Sequence, residues 1–356
     1  MSDPSNSRPD QTSSSSRRAF LSAAAGFSLY AYAGPRLTQM GLEPKAQLID
    51  IHHHFVPPFY VNEARKHILA TNEAAIPTMQ EWSPEKSLAE MDRNGVQYSV
   101  LSLTTPAVWL GDVQASRKFA RKCNEYAAEL ATKYKDRFGF FAALPLPDPE
   151  GSLKELAYAL DDLKANGIGL LTSYDNKWPG EPAFQAVFDE LNRRKALVYL
   201  HPSVPNCCRG LQPGVPAPTL EYPQDTARAI TSLMISGIFS RCPDARFIFS
   251  HAGGTLPMMT SRLAALARRP EFAGKVPQGS DYELKRLYYE VANSANKPAL
   301  AAIMNIVPSS QLMFGTDYPF LAIGATANAL RTVGLPDADI RAIGWETASR
   351  LLKRAS

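Results

Sequence analysis

Short apolar runs alternate with longer amphipathic segments along the chain from residue 47 onward. Two of the runs, residues 196–200 and 247–249, are continuously apolar. This is typical of strands in parallel sheets, which helices cover on both faces. The pattern predicts eight strands, over residues 47–54, 98–103, 137–144, 167–173, 196–201, 246–251, 287–292 and 311–316.

The amphipathic segments between these runs are predicted to be helices. The first clear one covers residues 84–94, where Ser83 is a good N-cap and Gly95 ends the helix. Similar segments cover residues 114–134, 151–165, 182–194, 223–240, 256–268 and 297–306, and two further helices fall within 324–354. Eight strand–helix alternations predict an α/β fold, the (β/α)8 or TIM barrel, with parallel central strands and C-terminal helices.

An open doubly wound sheet is the alternative architecture. It would require a glycine-rich phosphate-binding turn after the first strand. The chain instead runs from that strand through three histidines into Phe-Val-Pro-Pro, so the barrel is favoured. The segment 202–222 is long and rich in proline and glycine, as active-site loops at the top of a barrel often are.

The composition is that of an ordinary globular protein with a large core, since 45% of the 356 residues are hydrophobic and 20% are charged. Length alone would allow two domains, but a single barrel domain over residues 41–356 accounts for it equally well. The formal net charge is +4, and no basic run follows the N-terminal segment. Binding to nucleic acid is therefore not expected.

Residues 1–40 are interpreted as a targeting leader and not as part of the fold. A serine-rich start is followed by Arg17 and Arg18, a weakly apolar stretch, and a small-x-small tripeptide at 31–33. This order resembles a twin-arginine signal and predicts a periplasmic or exported protein. A disordered tail before a cytosolic enzyme is the alternative. The apolar stretch is too short to span a bilayer, and no later segment has a transmembrane pattern.

Ionisable residues concentrate where the predicted strands end. His52 and His54 stand at positions i and i+2 of the first strand, so their side chains point to the same face. His201 ends the fifth strand, His251 ends the sixth, and Asp317 directly follows the eighth. These strand ends meet at the C-terminal face of a barrel, where the βα loops build active sites. The sequence therefore predicts that these five side chains share one site.

The chemistry of this set indicates a metal site. Imidazole nitrogens and one carboxylate suit a divalent transition metal, with zinc the first expectation and manganese the alternative. If His52, His54, His201 and Asp317 bind the metal, one position remains for water or a substrate oxygen. His251 is then predicted to stand beside that position as a general acid or base.

The remaining histidines and the cysteines are given no chemical role. His53 faces the opposite side of its strand and is interpreted as structural, and His67 falls on a probable surface helix. The four cysteines show no zinc-finger spacing. Two of them, Cys207 and Cys208, are adjacent and therefore poorly suited to an ordinary disulfide. We interpret all four as structural or incidental.

The order of the motifs resembles the amidohydrolase superfamily. The matching segments are His52-x-His54, His201-Pro, His251-Ala-Gly-Gly and Gly-Thr-Asp317-Tyr-Pro-Phe, spread from the first predicted strand towards the last helices. The branch in question is similar to aminocarboxymuconate-semialdehyde decarboxylase and the metal-dependent hydroxybenzoate decarboxylases, and the 6-methylsalicylate decarboxylase subgroup is the closest. The resemblance implies the same barrel, the same four metal ligands, and a proton-transfer role for the sixth-strand histidine.

The resemblance also implies contacts with the substrate. Arg262 matches an arginine that, in the muconate-semialdehyde enzyme, grips a carboxylate in the neighbouring subunit's site, which implies a homodimer. Phe320 matches a residue that lines the substrate pocket. That enzyme has a second carboxylate-binding arginine, but residues 68–81 contain none, so we expect an acid with one carboxylate. Trp109 and Trp178 are predicted to supply an aromatic wall, with ordinary packing at the rim as the alternative.

Three functions are compatible with these observations. The favoured one is non-oxidative decarboxylation of a small aromatic hydroxy acid similar to 6-methylsalicylate. Its phenolic and carboxylate oxygens would be chelated by the metal, and its ring carbon would take a proton from His251 or Asp317. A metal-dependent hydrolase of a lactone, ester or amide is the alternative, because the same site supports it. A barrel kept as a binding or structural protein is disfavoured by the complete ligand set.

Overall fold

The computed structural model describes residues 47–354, which form an eight-stranded barrel surrounded by helices. The leader predicted for residues 1–40, and with it the prediction of export, lies outside the described residues. Within them, no helix combines the length and the apolar character that a bilayer crossing requires.

The strands of the described barrel are parallel and neighbour one another in sequence order. They are β1 (Leu48–His54), β2 (Val96–Ser102), β3 (Phe138–Ala143), β4 (Gly167–Leu171), β5 (Leu197–His201), β6 (Arg246–Phe249), β7 (Tyr288–Glu290) and β8 (Leu312–Met313). The barrel closes beside β1, where the Ile51 amide donates to the Phe314 carbonyl at 3.0 Å. The predicted (β/α)8 architecture is confirmed, and the open doubly wound sheet is excluded.

Helices connect the strands and cover the outside of the barrel. Those of the described residues are α1 (Tyr60–Asn72), α2 (Ile76–Glu81), α3 (Pro84–Asn94), α4 (Val113–Lys133), α5 (Pro149–Asp161), α6 (Gln185–Arg193), α7 (Ala217–Ile235), α8 (Ile238–Arg241), α9 (Thr260–Ala267), α10 (Pro270–Ala273), α11 (Ser280–Leu284), α12 (Lys297–Met304), α13 (Ile323–Thr332), α14 (Asp337–Arg341) and α15 (Thr347–Leu352). The bounds of α3 are as predicted, because the Ser83 hydroxyl accepts from the Lys86 amide and Gly95 adopts a left-handed φ of 78°.

The interior of the barrel is packed with apolar and aromatic side chains and is not a pore. Ile49, Ile51 and Ile248 belong to this inner cluster. The rings of Phe141 and Tyr199 stack inside it with centroids 5.3 Å apart. The Tyr199 ring also lies 5.5 Å from the ring of a β1 histidine, so the packed interior directly supports the polar residues at the C-terminal end.

Four strands, β4, β6, β7 and β8, end two or three residues earlier than the sequence pattern predicts. β6 ends at Phe249 and β8 at Met313, whereas the predicted strands extend to residues 251 and 316. Beyond these strand ends, His251 and Asp317 have left-handed φ values of 54° and 64°, which do not occur in a regular strand. Both side chains therefore stand on loops just above the strand ends.

The loop after β5 is also shorter than predicted. α7 begins at Ala217, so the loop covers residues 202–216 and does not extend to 222. Prolines in this stretch suggest a loop, but a proline in the first turn of a helix is tolerated because the amides there need no helical acceptor. The helix also accommodates Pro223 in its interior.

Candidate metal centre

Four residues from three separate segments converge at the C-terminal end of the barrel. His52, His54, His201 and Asp317 each offer a nitrogen or carboxylate oxygen, and these atoms all lie within 4.8 Å of one another. His54 Nε2 lies 2.9 Å from His52 Nε2 and 3.1 Å from Asp317 Oδ1. All four side chains are buried. The structure thus brings together the ligand set that the sequence predicts.

Neighbouring groups orient the two β1 histidines. His52 Nδ1 lies 2.8 Å from Glu290 Oε1, and His54 Nδ1 lies 3.1 Å from the Ser102 carbonyl. Both acceptors favour a proton on Nδ1, so that each Nε2 is the ring atom that faces the centre of the cluster. A metal-binding histidine is normally held in this way by a second hydrogen bond.

The protonation states of three ligands suit a cation. Burial lowers the pKa of His54, and it lowers the pKa of His201 well below the usual range, so both rings are neutral. Burial alone would raise the pKa of Asp317, but the adjacent His52 outweighs this and holds it well below its usual range. Neutral imidazoles and an ionised carboxylate are the forms that bind metals.

His52 differs from the other two imidazoles. Burial lowers its pKa, but the negative charges of Glu290 and Asp317 outweigh burial and raise the pKa to about 10. The ring therefore carries a proton when no cation is bound, because two carboxylates would otherwise be buried without a positive partner. A divalent metal supplies that positive charge and takes the place of the proton.

One buried atom without a hydrogen-bond partner provides an independent test of whether the site suits a metal ion. His201 Nδ1 is inaccessible to solvent and has no hydrogen-bond partner among the described residues. A buried nitrogen without a hydrogen-bond partner destabilises the folded protein unless a ligand binds the ring. Together with three imidazoles and a carboxylate in one cluster, this observation indicates a single divalent metal site.

His251 stands beside the cluster in a fixed orientation. Its ring centroid lies 5.1 Å from that of His52, and its Nδ1 lies 2.9 Å from the Ala292 carbonyl. This contact places the ring proton on Nδ1 and leaves Nε2 for another partner. The backbone amide of His251 donates to Glu290 Oε1 at 2.9 Å, which helps to hold its left-handed conformation.

Two aromatic rings border the ligands. Phe320 follows Asp317 in the loop after β8, and its ring centroid lies 5.5 Å from that of His54. The ring of Tyr222, on α7, lies 5.8 Å from that of His201 in an edge-on arrangement. Phe320 thus lies beside a candidate ligand, and its contact with the substrate stays a prediction. The position of Tyr222 had no clear signal in the sequence.

The two tryptophans predicted to line the substrate pocket are held by carboxylates, and the structure does not bring them together with the four ligands. Trp109 donates to Asp175 at 2.8 Å and lines a cavity of about 220 Å³ between the loops after β2, β4 and β5. Trp178 donates to the fully buried Asp225 at 2.8 Å and faces a groove along α7. Their role as an aromatic wall remains a prediction.

Arg262 is exposed on α9, and it forms no ion pair with another residue in the described part of the chain. The four ligands and Arg262 are not brought together within one chain. An arginine that acts on a neighbouring subunit's site would be placed on the surface in this way, so its predicted role stays open.

The second β1 strand face carries a separate buried network. His53 Nδ1 lies 2.9 Å from Asp50 Oδ2, and its Nε2 lies 2.6 Å from the Ser87 hydroxyl. Asp50 also accepts from the hydroxyl of Thr316 at 2.6 Å and from its amide at 3.0 Å. His53 therefore faces away from the metal ligands and has satisfied partners, as expected of a structural histidine.

Glu290 is the functional residue that the sequence analysis missed. It ends β7, is fully buried, and accepts from His52, from the His251 amide and from the Ala292 amide. A Cβ at Gly315 would collide with the Glu290 carboxylate, so that glycine allows the close approach. A charged residue at the end of an apolar strand is the same signal that identified the histidines.

Comparison with known proteins agrees with this site. The amidohydrolase family profile matches residues 49–354. The chain belongs to the amidohydrolase family. It is 35% identical over 297 residues to "Decarboxylase yanB" of Aspergillus niger, which covers 80% of each protein. It is 32% identical over 314 residues to 6-methylsalicylic acid decarboxylase of Penicillium expansum, which covers 86% of this chain and 96% of the relative. These relatives confirm the prediction of an enzyme of the decarboxylase branch.

Solved structures show the same barrel. A 2,6-dihydroxybenzoate decarboxylase in complex with 2,6-dihydroxybenzoate superposes with a TM-score of 0.76 at 25% identity, covering 86% of this chain and 99% of the other. A dihydroxybenzoic acid decarboxylase from Polaromonas sp. JS666, with bound manganese, superposes with a TM-score of 0.75 at 24% identity over 87% and 98%. The prediction of zinc in preference to manganese is not confirmed.

Proposed function

We propose that this amidohydrolase is a metal-dependent, non-oxidative decarboxylase of a small aromatic hydroxy acid. The observation that carries the proposal is the buried cluster of His52, His54, His201 and Asp317 with His251 beside it. The relatives named above act on 6-methylsalicylic acid and 2,6-dihydroxybenzoate, which are both benzoates with a hydroxyl group next to the carboxylate.

Different residues of the chain contribute to different steps of this reaction. His52, His54, His201 and Asp317 would hold a divalent metal, which would act as a Lewis acid toward the substrate. His251 or Asp317, after taking up a proton from solvent, delivers it to the ring carbon that bears the carboxylate. The carbon–carbon bond then breaks, its electron pair restores the aromatic ring, and carbon dioxide leaves. Phe320 packs beside His54, where it would border the substrate.

The substrate is expected to carry a single carboxylate. Residues 68–81 contain no arginine that could hold a second one. A small ring with one carboxylate and an adjacent hydroxyl therefore matches the available charges better than a dicarboxylic acid.

The test is a parallel assay on protein reconstituted with one metal at a time. Release of carbon dioxide from 6-methylsalicylate, salicylate and 2,6-dihydroxybenzoate is measured beside the opening of simple lactones and esters. Turnover of the hydroxybenzoates, with 3-hydroxybenzoate inert because its hydroxyl cannot chelate together with the carboxylate, supports the proposal. Lactone or ester hydrolysis without carbon dioxide release would identify a hydrolase instead.

The resident metal is proposed to be zinc or manganese. Three imidazoles favour zinc, whereas the carboxylate and an open site also suit manganese. Elemental analysis of purified protein, followed by kcat measurements after reconstitution with each metal, distinguishes the two. About one metal ion per chain is the expected content, because the second possible ligand group of the described residues, His52, His251 and Glu290, shares His52 with the first.

A homodimer is proposed from the exposed position of Arg262 on α9. If its guanidinium completes the partner's site, Arg262→Ala raises KM for the carboxylate substrate in every site. Mixing that variant with His251→Ala subunits then restores partial activity, because some mixed sites contain both intact residues. Light scattering of the purified protein checks the dimer independently of activity.

Export through the twin-arginine route is proposed from the leader sequence alone. The proposal predicts that full-length protein reaches the periplasm of a bacterial host with that translocase, and that Arg17→Lys combined with Arg18→Lys keeps it in the cytoplasm. Cell fractionation with a cytoplasmic marker decides the point. If the wild-type protein and the double variant are retained equally in the cytoplasm, the leader is not an export signal.

A further inference from the structure

The loop after β5 contains two adjacent thiols in direct contact. Cys207 and Cys208 lie in a short 3-10 turn, Asn206–Cys208, and their sulfur atoms are 2.8 Å apart. Cys207 is exposed to solvent, while Cys208 is buried. The other two cysteines of the chain are buried elsewhere and unpaired, so this is the one place in the described residues where two thiols meet.

This turn is bonded to the wall of a cavity. The Cys207 amide donates to Asn176 Oδ1 at 2.9 Å, and the Asn206 side chain donates to Asp175 at 3.3 Å. Asp175 in turn accepts from the indole of Trp109 at 2.8 Å. We call the cavity of about 220 Å³ beside these residues the loop cavity; it is lined by Trp109, Ser173, Asp175, Ser203, Asn206 and Arg209, among others.

The loop cavity adjoins the metal centre. Thr105 lines the cavity and accepts a hydrogen bond from the Tyr222 hydroxyl at 3.4 Å. The Tyr222 ring packs edge-on against the ligand His201. Ser203, another lining residue, is only two positions beyond that ligand. The turn that carries the thiols is therefore connected through these contacts to groups next to the candidate catalytic site.

We propose that Cys207 and Cys208 form a reversible vicinal disulfide and that its formation reshapes the loop cavity. Adjacent Cα atoms are only about 3.8 Å apart across a trans peptide, which is shorter than the span an unstrained disulfide prefers. The ring that closes is thus strained, and the peptide between the two residues must rotate. A strained and exposed disulfide is easily reduced again, as a reversible modification requires.

The reaction needs a disulfide donor, for which a small organic disulfide in solution is sufficient. Cys207, as the exposed thiol, loses its proton and attacks one sulfur of the donor, releasing one donor thiol. Contact with Cys207 and burial raise the pKa of Cys208 to about 11, so Cys208 is the thiol that retains its proton until the second step. Its sulfur then displaces the second donor thiol from Cys207. Two protein thiols are oxidised, and one donor disulfide is reduced to two thiols.

The experiment treats the purified full chain with excess 2-hydroxyethyl disulfide and follows it by mass spectrometry. Wild-type protein is expected to lose about 2 Da, with the loss confined to the peptide that contains both thiols, and dithiothreitol reverses it. Cys208→Ser is expected to stop at a mixed disulfide on Cys207. Cys207→Ser is expected not to react, and Cys242→Ser, the matched control, behaves as wild type. A wild-type protein that retains free thiols or accumulates the mixed disulfide overturns the proposal.

The effect on the cavity is read in two ways. Fluorescence of the oxidised protein is expected to differ from that of the reduced protein, and Trp109→Phe is expected to abolish the difference. The kinetic readout rests on the proposed decarboxylase function: oxidation changes KM for the hydroxybenzoate by at least about threefold with unchanged metal content. If oxidation changes neither the fluorescence nor KM, the proposed effect of the disulfide on the loop cavity is wrong. A protein that oxidises and shifts its fluorescence but decarboxylates nothing refutes the proposed function alone.

Discussion

Glu290 Oε1 lies 2.8 Å from His52 Nδ1, and both side chains are fully buried. The same oxygen accepts from the amide of His251, and the other oxygen accepts from the amide of Ala292 at 2.6 Å. One carboxylate thus fixes the orientation of a metal ligand and the backbone of the residue proposed to transfer protons. Both parts of the site depend on a residue outside the group of four candidate ligands.

Replacing Glu290 should therefore weaken metal binding. In Glu290→Gln, the amide nitrogen must face an N–H donor, and the negative charge behind His52 is lost. Removing such a supporting carboxylate typically costs about 10–100-fold in metal affinity or activity. We expect that loss in the dissociation constant for zinc or manganese, measured by competition with a chelator of known affinity.

Glu283→Gln is the matched control for this variant. Glu283 is also buried, but it pairs with Arg286 and Ser240 at the opposite end of β7. It should change metal affinity little, whatever it does to stability. If Glu290→Gln binds metal as tightly as wild type, the carboxylate does not support the ligand in the way described.

Variants of His201 and His251 should separate metal binding from proton transfer. His201→Ala removes one of the four donors and should abolish stoichiometric metal together with turnover. His251→Ala should keep the metal and lose about 10²–10⁴ in kcat, the usual contribution of a positioned acid or base. Elemental analysis and steady-state kinetics on both proteins make the comparison. Near-normal kcat in His251→Ala would assign the proton to Asp317.

Much of the barrel could be predicted from the sequence because buried parallel strands have a strong local signature. The short apolar runs located all eight strands of the described chain, and the end of β1 was correct at His54. The ligand set followed from the rule that side chains at strand ends converge. The local pattern and this one topological rule were sufficient to predict that four residues from three separate segments lie together.

Other features depend on contacts that no local pattern reveals. The strand predicted to end at His251 stops at Phe249, because the amide of His251 finds Glu290 from another strand. Trp178 looks like a candidate for a pocket wall, but its indole bonds to Asp225 on a helix distant in sequence. Tertiary packing determines side-chain partners of this kind, and no simple periodicity in a single sequence reveals them.

Metal binding should release protons. Without a cation, burial lowers the pKa of His52, but Glu290 and Asp317 outweigh it and raise the pKa to about 10, so the ring is protonated at neutral pH. A metal can bind Nε2 only after that proton leaves. We expect the release of about one proton per metal between about pH 7 and 8, with affinity rising about tenfold per pH unit. Calorimetric titrations in two buffers of different ionisation enthalpy measure the release.

The Glu290→Gln variant provides an internal check on the predicted release of protons. Removing one of the two carboxylates lowers the pKa of His52, so a smaller fraction of the ring is protonated before metal arrives. Proton release at the same pH should then decrease, even though the metal binds more weakly. Binding heats of wild-type protein that are independent of the buffer would contradict a protonated His52 in the metal-free protein.

Asp50 should contribute to stability more than to chemistry. It is fully buried and accepts from His53, from the Thr316 hydroxyl and from the Thr316 amide. Through these bonds it ties β1 to the loop that carries Asp317. Asp50→Asn introduces an amide that cannot accept all of these donors. We expect the free energy of unfolding of the metal-free protein to fall by about 1–3 kcal/mol.

Asp112→Asn is the appropriate control because it makes the same chemical change at an exposed helix cap. Asp112 accepts from the Ala115 amide at 2.7 Å, and asparagine caps helices about as well as aspartate. Its unfolding midpoint should therefore match that of wild type. If Asp50→Asn is equally stable but binds metal poorly, the network acts on the position of Asp317 and not on the stability of the barrel.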